Sequence, residues 1–264
     1  MAVMQFGENN TWININSDLI SEYSSIYDTY EIDDEMIEYA LDKNERAHME
    51  YNRRTKTLVF IYNVLNLTRE ENYYDTIPLT FIVRQNQIVT ISNEQNEYII
   101  DQIREELEEN MHWSVFNFLL HSLFTISENY FPILETLNKE QQKISKLLRK
   151  KTTKDNLFRL SDMEIEGMYL VSATKQNAVV LEQLKTQQAF KELDDSEREQ
   201  LEDNIIEANQ LVEMTDLHLQ ILHQIANTYN NVLNNNLNDT MKFLTGISIL
   251  MTIPDIVTGF FGMN

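Results

Sequence analysis

The chain has 264 residues and carries 42 acidic against 21 basic side chains, for a formal net charge of −21. This charge excludes nucleic acid as a partner, because binding phosphates requires clustered Lys and Arg. It suits a protein that handles cations, although solubility alone also accounts for it. The absence of cysteine excludes disulfides and cysteine zinc sites, and the length allows one or two domains with a substantial core.

The first region, residues 1–110, is predicted to be an α/β layer domain. Its strand signals are runs of β-branched and aromatic residues at 57–62, 79–83 and 88–91. A tight hairpin turn is predicted at 85–87, between the last two strands. Helices that open at capping residues or follow the strands are predicted at 18–30, 33–41 and 97–109. The N-terminus lacks the pattern of a signal peptide, so this domain is expected in the cytosol.

Residues 111–195 are predicted to form an antiparallel helical hairpin. Strand signals vanish in this region, and one long helix is predicted from 112 to about 151, followed by a second from 156 to about 190. The short polar stretch 151–155 forms the turn between them, so the two helices are expected to run in opposite directions.

A third, much longer helix is predicted over 196–242. Ser196 and Glu199 have the spacing of a capping box, which marks its start. One apolar stripe recurs at steps of four and three, as in a coiled-coil seam: Leu201, Ile205, Ala208, Val212, Thr215, Leu219, Leu222, Ala226, Tyr229 and Leu233. A second stripe comprises Leu211, Met214, Ile221, Ile225 and Val232. Two apolar faces indicate two partners: the hairpin, and copies of the same helix around an axis.

The last segment, 243–264, is predicted to be a membrane-spanning helix. From Phe243 to Met263 there are 21 residues whose one formal charge is Asp255, and about 20 mostly apolar residues suffice to cross a bilayer. No Gly or Pro interrupts residues 196–245, so the third helix is expected to run unbroken into the membrane. At about 1.5 Å per residue it reaches on the order of 100 Å.

The end of the chain resembles the CorA family of divalent-cation channels. The matching residues are Tyr229, Asn238, Met241, Lys242, Leu244, Thr245, Gly259, Gly262, Met263 and Asn264. The resemblance implies an α+β fold, with the cytosolic α/β domain, the hairpin, the long helix and the first membrane helix in that order. It also implies a homo-oligomer of five copies in the cytoplasmic membrane, although the stripe pattern alone does not count subunits. The transported ion implied is Mg²⁺, with Co²⁺, Ni²⁺ or Zn²⁺ as further candidates.

A pore line on one face of the last helix follows from the same resemblance. The pore line comprises Asn264, Asp255, Thr252, Leu244, Met241 and Asn238. Gly262 and Met263, which precede Asn264 in the motif that ends the sequence, are assigned to the same site. Asn264 offers an amide oxygen to the waters of a hydrated ion without a net charge that traps it. Gly262 is expected to let the backbone leave the helix without a Cβ penalty. Leu244 and Met241 form apolar rings that can close by dewetting, or they pack against lipid and helices.

Asp255 departs from the family, where a small hydroxyl residue is more usual. An ionised side chain facing lipid is expensive, whereas one beside a water-filled path is tolerated and usually functional. Asp255 is therefore predicted to be a cation site within the pore.

The long helix is rich in asparagine on the N-terminal side of the membrane segment. Asparagines occur at positions 227, 230, 231, 234, 235, 236 and 238. They either line an inner vestibule or form a polar surface near the membrane.

Regulation by cytosolic magnesium is a further expectation from the resemblance, because the family holds Mg²⁺ between acids of neighbouring cytosolic domains. The matching acid on the long helix is Asp203, and its partner is expected among Glu70, Glu71 and Asp75.

Residues 139–159 carry eight basic and two acidic side chains. This basic turn is predicted either to contact anionic lipid or to be a solvated tip.

An enzyme is not indicated, because Gly7 and Gly167 stand alone rather than in a phosphate-binding loop, and the histidines lack metal-ligand spacing. Two alternatives remain beside a magnesium channel: a zinc-transporting relative, and a helical interaction protein without transport activity. The family has two membrane helices, so the chain is expected to be part of a longer protein with a second span and a basic tail.

Overall fold

The computed structural model describes residues 2–68, 73–150, 153–186 and 193–262, without the side chains of 19–24 and 257. Its first part is a six-stranded sheet in the order β1-β2-β6-β5-β4-β3. The strands are β1 Ala2–Phe6, β2 Asn10–Asn16, β3 His48–Asn52, β4 Thr57–Leu65, β5 Thr76–Arg84 and β6 Gln87–Ser92. Neighbours pair antiparallel except β2 and β6, which are parallel.

The predicted strands fall within β4, β5 and β6, whereas β1, β2 and β3 were not predicted. β1 and β3 are edge strands with only partial burial, which weakens the sequence signal. The predicted turn at 85–87 is one residue shorter in the structure, because Gln87 already pairs with Arg84.

Helices cover both faces of the sheet. One face packs on α1 Ile20–Thr29 and α2 Asp34–Leu41 through a small core that includes Ile13, Ile82 and Val89. The other face, which carries Trp12, Phe60 and Phe81, belongs to a larger core shared with the later helices. This core continues without a break into the helical part, so the division of the chain at residue 110 stays a prediction.

Five further helices follow the sheet: α3 Glu97–Glu109, α4 Val115–Glu128, α5 Tyr130–Lys150, α6 Lys154–Thr186 and α7 Asp195–Phe261. The bounds predicted for α3 are confirmed, and Asp33 caps α2 as predicted by accepting a hydrogen bond from Met36 N at 2.9 Å. The predicted single helix over 112–151 is wrong, because α4 ends at Glu128 and α5 starts at Tyr130, with Asn129 between them. Pro132 explains the break, since it has no N–H for the carbonyl of Glu128 and its ring collides with that carbonyl.

The 67 residues of α7 form one helix, about 100 Å long at 1.5 Å per residue, which confirms the prediction of an unbroken helix. The predicted capping box at Ser196 and Glu199 is wrong. Asp194 is the cap: it accepts from Glu197 N at 2.8 Å, while the Glu197 carboxylate accepts from Asp194 N at 2.9 Å. Glu197 is itself buried against Ser114 of α4, so the tertiary contact favours this pair.

The first apolar stripe of α7 is covered within the same chain. From Leu201 as far as Tyr229 its residues are buried or half-buried against α4, α5 and α6, while Leu233 is exposed. α5 runs in the same direction as α7: Gln141 Nε2 donates to His218 O at 3.0 Å, and further along Tyr229 Oη donates to Ser145 O at 3.1 Å. The second stripe is buried at Leu211, and Ile221 and Val232 are exposed.

Candidate functional site

The C-terminal part of α7 projects away from the rest of the protein. Among the described residues it is the one helix long and apolar enough to cross a membrane, with a mean hydropathy of 1.6 over an 18-residue window that is 0 % buried. The exposed fractions of Phe243, Leu250 and Phe260 are 70 %, 67 % and 73 %. Such a surface is stable only when lipid or other helices cover it.

The predicted pore residues within the described part of the chain lie on this exposed section. Asn238, Met241, Leu244, Thr252 and Asp255 are all exposed. Because α7 is a continuous helix with about 3.6 residues per turn, the five side chains fall within an arc of about 120°. The helix therefore brings them onto one face, as the pore line requires, and their role in conduction stays a prediction.

Two residues of this face, Thr245 and Ser248, were missed by the sequence reasoning. With Thr252 and Asp255 they form a polar stripe at spacings of three and four residues, which is the signal that could have identified them. Thr245 Oγ1 donates to Met241 O at 2.8 Å and Ser248 Oγ donates to Leu244 O at 2.9 Å. Each hydroxyl keeps lone pairs that can accept from water.

Gly262 ends α7, and its N–H donates to Thr258 O at 2.8 Å. Gly262 has φ −86° and ψ −1°, so its backbone is right-handed and a left-handed conformation is not the reason for glycine here. Its small size matters instead, since a Cβ at this position would lie 3.1 Å from Thr258 O. Met263 and Asn264 lie outside the described residues, so their predicted place at the pore mouth stays a prediction.

Asp203 and Asp75, the candidate regulatory acids that the structure describes, do not meet within one copy. Asp203 is exposed near the start of α7, and Asp75 is half-buried just before β5. The neighbour of Asp75, Tyr74, donates its N–H to Glu166 on α6 at 2.7 Å. Glu166 is followed by Gly167, which contacts Leu219 of α7. Leu219 lies 16 residues after Asp203 in α7, which corresponds to about 24 Å along the helix axis. The part of α6 that Tyr74 contacts is therefore far from Asp203. Glu70 and Glu71 lie outside the described residues.

Asp203 lines a groove of about 630 Å³ between α4 and the start of α7. The rings of Trp113 and His121 stack in this groove with centroids 4.0 Å apart, and burial lowers the pKa of His121. Within the described part of the chain, no three His, Asp or Glu side chains lie close enough to hold a metal ion. Among the described residues, Asp203 is therefore not part of a three-ligand cluster.

The basic turn is the tip of the α5–α6 hairpin. Its described basic residues are exposed: Lys139, Lys143, Lys146, Arg149, Lys150, Lys154 and Arg159. Lys139 pairs with Glu135 at 2.7 Å. Since α5 runs parallel to α7, the tip is roughly level with Tyr229, about 21 Å before Phe243 along the helix axis. The tip therefore faces the membrane side of the molecule.

Comparison with known protein families gives one match over most of the chain. Residues 7–264 match the family described as CorA-like Mg²⁺ transporter protein. No curated protein sequence matches the chain significantly.

Solved structures share the fold. The complete structure of the CorA magnesium transporter from Methanocaldococcus jannaschii superposes with a TM-score of 0.84 at 20 % identity, covering 100 % of this chain and 83 % of that one. The ZntB cytoplasmic domain from Vibrio parahaemolyticus RIMD 2210633 gives 0.68 at 12 % identity, covering 86 % and 89 %. The full-length CmaX protein gives 0.79 at 11 % identity, covering 98 % and 79 %. At these identities the likeness concerns the fold.

Proposed function

Because the chain belongs to the CorA-like Mg²⁺ transporter family, and is thus a divalent-cation transporter of the membrane rather than an enzyme, we propose that its cargo is hydrated Mg²⁺. Mg²⁺ loses its waters reluctantly and prefers octahedral oxygen ligands. The polar face of α7 offers oxygens from amides, hydroxyls and one carboxylate, which suit an ion that keeps its water shell.

The observation that carries this proposal is the polar stripe on an otherwise apolar, fully exposed helix. Thr245, Ser248, Thr252 and Asp255 lie on one face, and the remaining faces carry large apolar side chains such as Leu250 and Phe260. Polar groups are unfavourable toward lipid. Several copies that turn this face toward a common axis form a water-filled path and present the apolar faces to the bilayer. We take the number of copies to be five, as the family resemblance implies.

Each residue of the path has a distinct role in this scheme. Asn264, which follows Gly262 and Met263 in the sequence, is proposed to offer amide oxygens to the hydrated ion at the outer mouth. Asp255 supplies a charged site in the membrane, with Thr252 beside it. Met241 and Leu244 are apolar and exposed at 58 % and 63 %, so rings of them close the path by dewetting. Asn238 receives the ion on the cytosolic side.

Regulation by cytosolic Mg²⁺ is part of the proposal. Asp203 and Asp75 are too far apart within one copy to share an ion, so the ion is held between Asp203 of one copy and an acid of the next, with Glu70 and Glu71 as further candidates. Bound Mg²⁺ ties neighbouring cytosolic domains together and keeps the path closed. The cytosolic domain and the cytoplasmic membrane are the proposed locations.

The hairpin tip is proposed to face anionic lipid of the inner leaflet. The headgroup region extends about 6 Å beyond the hydrocarbon on each side, and a Debye length at physiological salt is about 8 Å. Long Lys and Arg side chains at the tip, roughly level with Tyr229, therefore come within the electrostatic range of that surface. Each basic residue near an anionic surface contributes about 1 kcal/mol.

The test is ion flux with the full-length protein in liposomes that contain a Mg²⁺-sensitive dye. Mg²⁺ entry that saturates with concentration is expected, and its absence would contradict the transport function and favour an interaction protein. Competition among Mg²⁺, Co²⁺, Ni²⁺ and Zn²⁺ then identifies the cargo. Preferential Zn²⁺ entry would contradict the proposal that Mg²⁺ is the cargo and would favour a zinc transporter. Zinc is kept as a candidate because the fold is shared with the ZntB domain.

A further inference from the structure

Two hairpin turns lie side by side at one end of the sheet. The turn 53–56 joins β3 to β4, and the turn 85–86 joins β5 to β6. They are neighbours because β4 and β5 pair antiparallel, with Leu58 opposite Val83 beside the turns. Side chains from both turns can therefore meet one ligand.

The segments that form this end of the sheet are free of acidic residues. The stretches 51–69 and 76–93 contain no Asp or Glu, in a chain of 42 acidic residues. Three basic residues stand close together in the first turn, at 53, 54 and 56. The charge of these segments is therefore opposite in sign to the net charge of −21, and it favours an anionic ligand.

A pocket of about 170 Å³ opens between the two turns and the start of α4. Its floor is apolar, since Leu58 and Val83 are 1 % and 2 % exposed. The half-buried rings of Tyr51 and Phe116 lie beside this floor. The full lining is Tyr51, Lys56, Leu58, Val83, Arg84, Gln85 and Phe116. A cavity of about 150 Å³ holds a benzene ring, so this pocket accommodates an apolar group of that size.

Three polar groups of the lining are unpartnered within the described part of the chain. The Lys56 amine makes neither an ion pair nor a hydrogen bond, and the Tyr51 hydroxyl and the Gln85 amide make no hydrogen bond. Arg84 differs, because its guanidinium donates to Glu31 O at 2.6 Å and also to Tyr30 O. Lys56 is thus the cation of the lining that is available to a ligand.

The backbone conformation of Lys56 does not suit a lysine. Lys56 ends its turn with φ +53°, in the left-handed region, where glycine is favoured over any residue with a Cβ. The turn is fixed by Asn52, whose Oδ1 accepts from Arg54 N at 3.0 Å and from Thr55 N at 3.3 Å. Local stability therefore favours glycine at position 56, and backbone strain of this kind is typical of residues with a function.

We infer that this pocket binds a small carboxylate with a ring-sized apolar body. The apolar body covers Leu58 and Val83, and the carboxylate lies at the exposed end of the pocket, where Lys56 pairs with it. The Tyr51 hydroxyl and the Gln85 amide are donors for its oxygens. An apolar lining with a few polar groups that fix the orientation is the usual composition of a small-molecule site.

The inference goes beyond the proposed function. The pocket lies in the sheet domain, and it shares no residue with the polar stripe of α7. Its ligand is an organic anion, whereas the proposed cargo is a hydrated cation. Binding to the pocket and ion flux are therefore measured separately.

The test is calorimetric titration of the purified full-length protein with benzoate. A dissociation constant of about 1 mM or lower is expected for a ligand of this size. Benzamide, which lacks the charge, and acetate, which lacks the ring, are each expected to bind at least about fivefold more weakly, since each loses one part of the contact.

Lys56→Met removes the charge and keeps an unbranched side chain. It is expected to weaken benzoate binding about fivefold. Arg54→Met is the matched control, because Arg54 is an exposed cation of the same turn that does not line the pocket. The control is expected to stay within about twofold of wild type.

Lys56→Gly separates a binding role from a structural one. It removes the side chain together with the backbone strain, so it is expected to raise the thermal midpoint by about 2–4 °C and to weaken benzoate binding as Lys56→Met does. Unchanged benzoate affinity in both Lys56 variants, or equal binding of benzoate and benzamide to the wild type, would overturn the inference. Absence of benzoate binding to the folded wild type would also overturn it, and ion flux in liposomes would still test the proposed function.

Discussion

Tyr229 of α7 donates a hydrogen bond from its hydroxyl to the backbone carbonyl of Ser145 in α5, at 3.1 Å. Tyr229 is buried, and its ring belongs to a small core with Ile144, Leu148 and Leu222. This contact joins the hairpin tip to α7 where the long helix leaves the cytosolic part.

Tyr229→Phe removes this hydrogen bond and retains the ring. The expected loss is about 1 kcal/mol, which lowers the thermal midpoint of the purified protein by about 2–4 °C. Tyr169→Phe is the control, because Tyr169 is 45 % exposed and its hydroxyl makes no hydrogen bond among the described residues. Equal midpoints for the two variants would show that the hydroxyl contact does not stabilise the fold.

Gly7→Ala is expected to destabilise the cytosolic domain. Gly7 has φ +57°, and a Cβ there would lie 2.9 Å from the backbone oxygen of Trp113. A residue with a Cβ in the left-handed region costs about 1–2 kcal/mol, and the collision with backbone adds to this cost. Chemical denaturation of the purified variant measures the loss. Gly246→Ala is the control, since a Cβ at Gly246 meets nothing within 4 Å; a similar loss there would refute the steric explanation.

His218 is expected to make stability dependent on pH. Burial lowers its pKa to about 4. Its Nδ1 lies 3.0 Å from Asn138 Oδ1, and Nε2 is buried without a hydrogen-bond partner among the described residues. The folded protein thus favours the neutral ring. The resulting stability is fully present above the ordinary pKa of about 6.5 and is lost as the pH falls toward 4, by about 3 kcal/mol in all.

The measurement is the free energy of unfolding at about pH 7 and about pH 5. His218→Gln is expected to reduce the difference between the two values, because the group that takes up the proton is gone. His223→Gln, an exposed histidine of the same helix, is the control and should leave the difference as in wild type. An unchanged pH dependence in His218→Gln would exclude His218 as its source.

Asp255→Asn tests the charged site in the membrane path. Removing the carboxylate is expected to raise the half-saturating Mg²⁺ concentration for flux by about tenfold, corresponding to about 1.4 kcal/mol. Asp239→Asn is the control, because Asp239 pairs with Lys242 at 3.2 Å on the exposed helix before the membrane. Unchanged flux and ion preference in Asp255→Asn would show that Asp255 is not a cation site in the membrane path.

The hairpin tip is tested by charge reversal. In the full-length protein, a dye attached at Phe158→Cys reports energy transfer to labelled lipid headgroups. Residues 1–264 contain no cysteine that would compete for the dye, and any cysteine outside them is replaced by serine. Transfer is expected to rise with the anionic lipid fraction and to lose this dependence in Lys146→Glu/Arg149→Glu, since each basic residue contributes about 1 kcal/mol. Lys43→Glu, in the sheet domain, is the control. Transfer independent of lipid charge in the unreversed protein would contradict the contact.

The features that depend on local patterns were predictable from the amino-acid sequence. The absence of Gly and Pro over 196–245 and the apolar run from Phe243 predicted a single helix of about 100 Å that enters a membrane. α7 confirms the single helix, and its C-terminal part is long and apolar enough to cross a membrane. The bounds of α3 and the cap at Asp33 were likewise local, because capping and periodicity act within a few residues. The break at Asn129 was also readable, since Pro132 stands in the sequence.

The tertiary structure decided what depends on contacts between distant parts of the chain. Glu197 rather than Glu199 completes the cap of α7, because Glu197 is buried against Ser114. The parallel pairing of β2 with β6 joins strands far apart in sequence, which no local pattern encodes. The first apolar stripe of α7 is covered by its own chain up to Tyr229. Burial of that stripe leaves the opposite face of α7, which carries Gln220, Gln224 and Asn231, exposed.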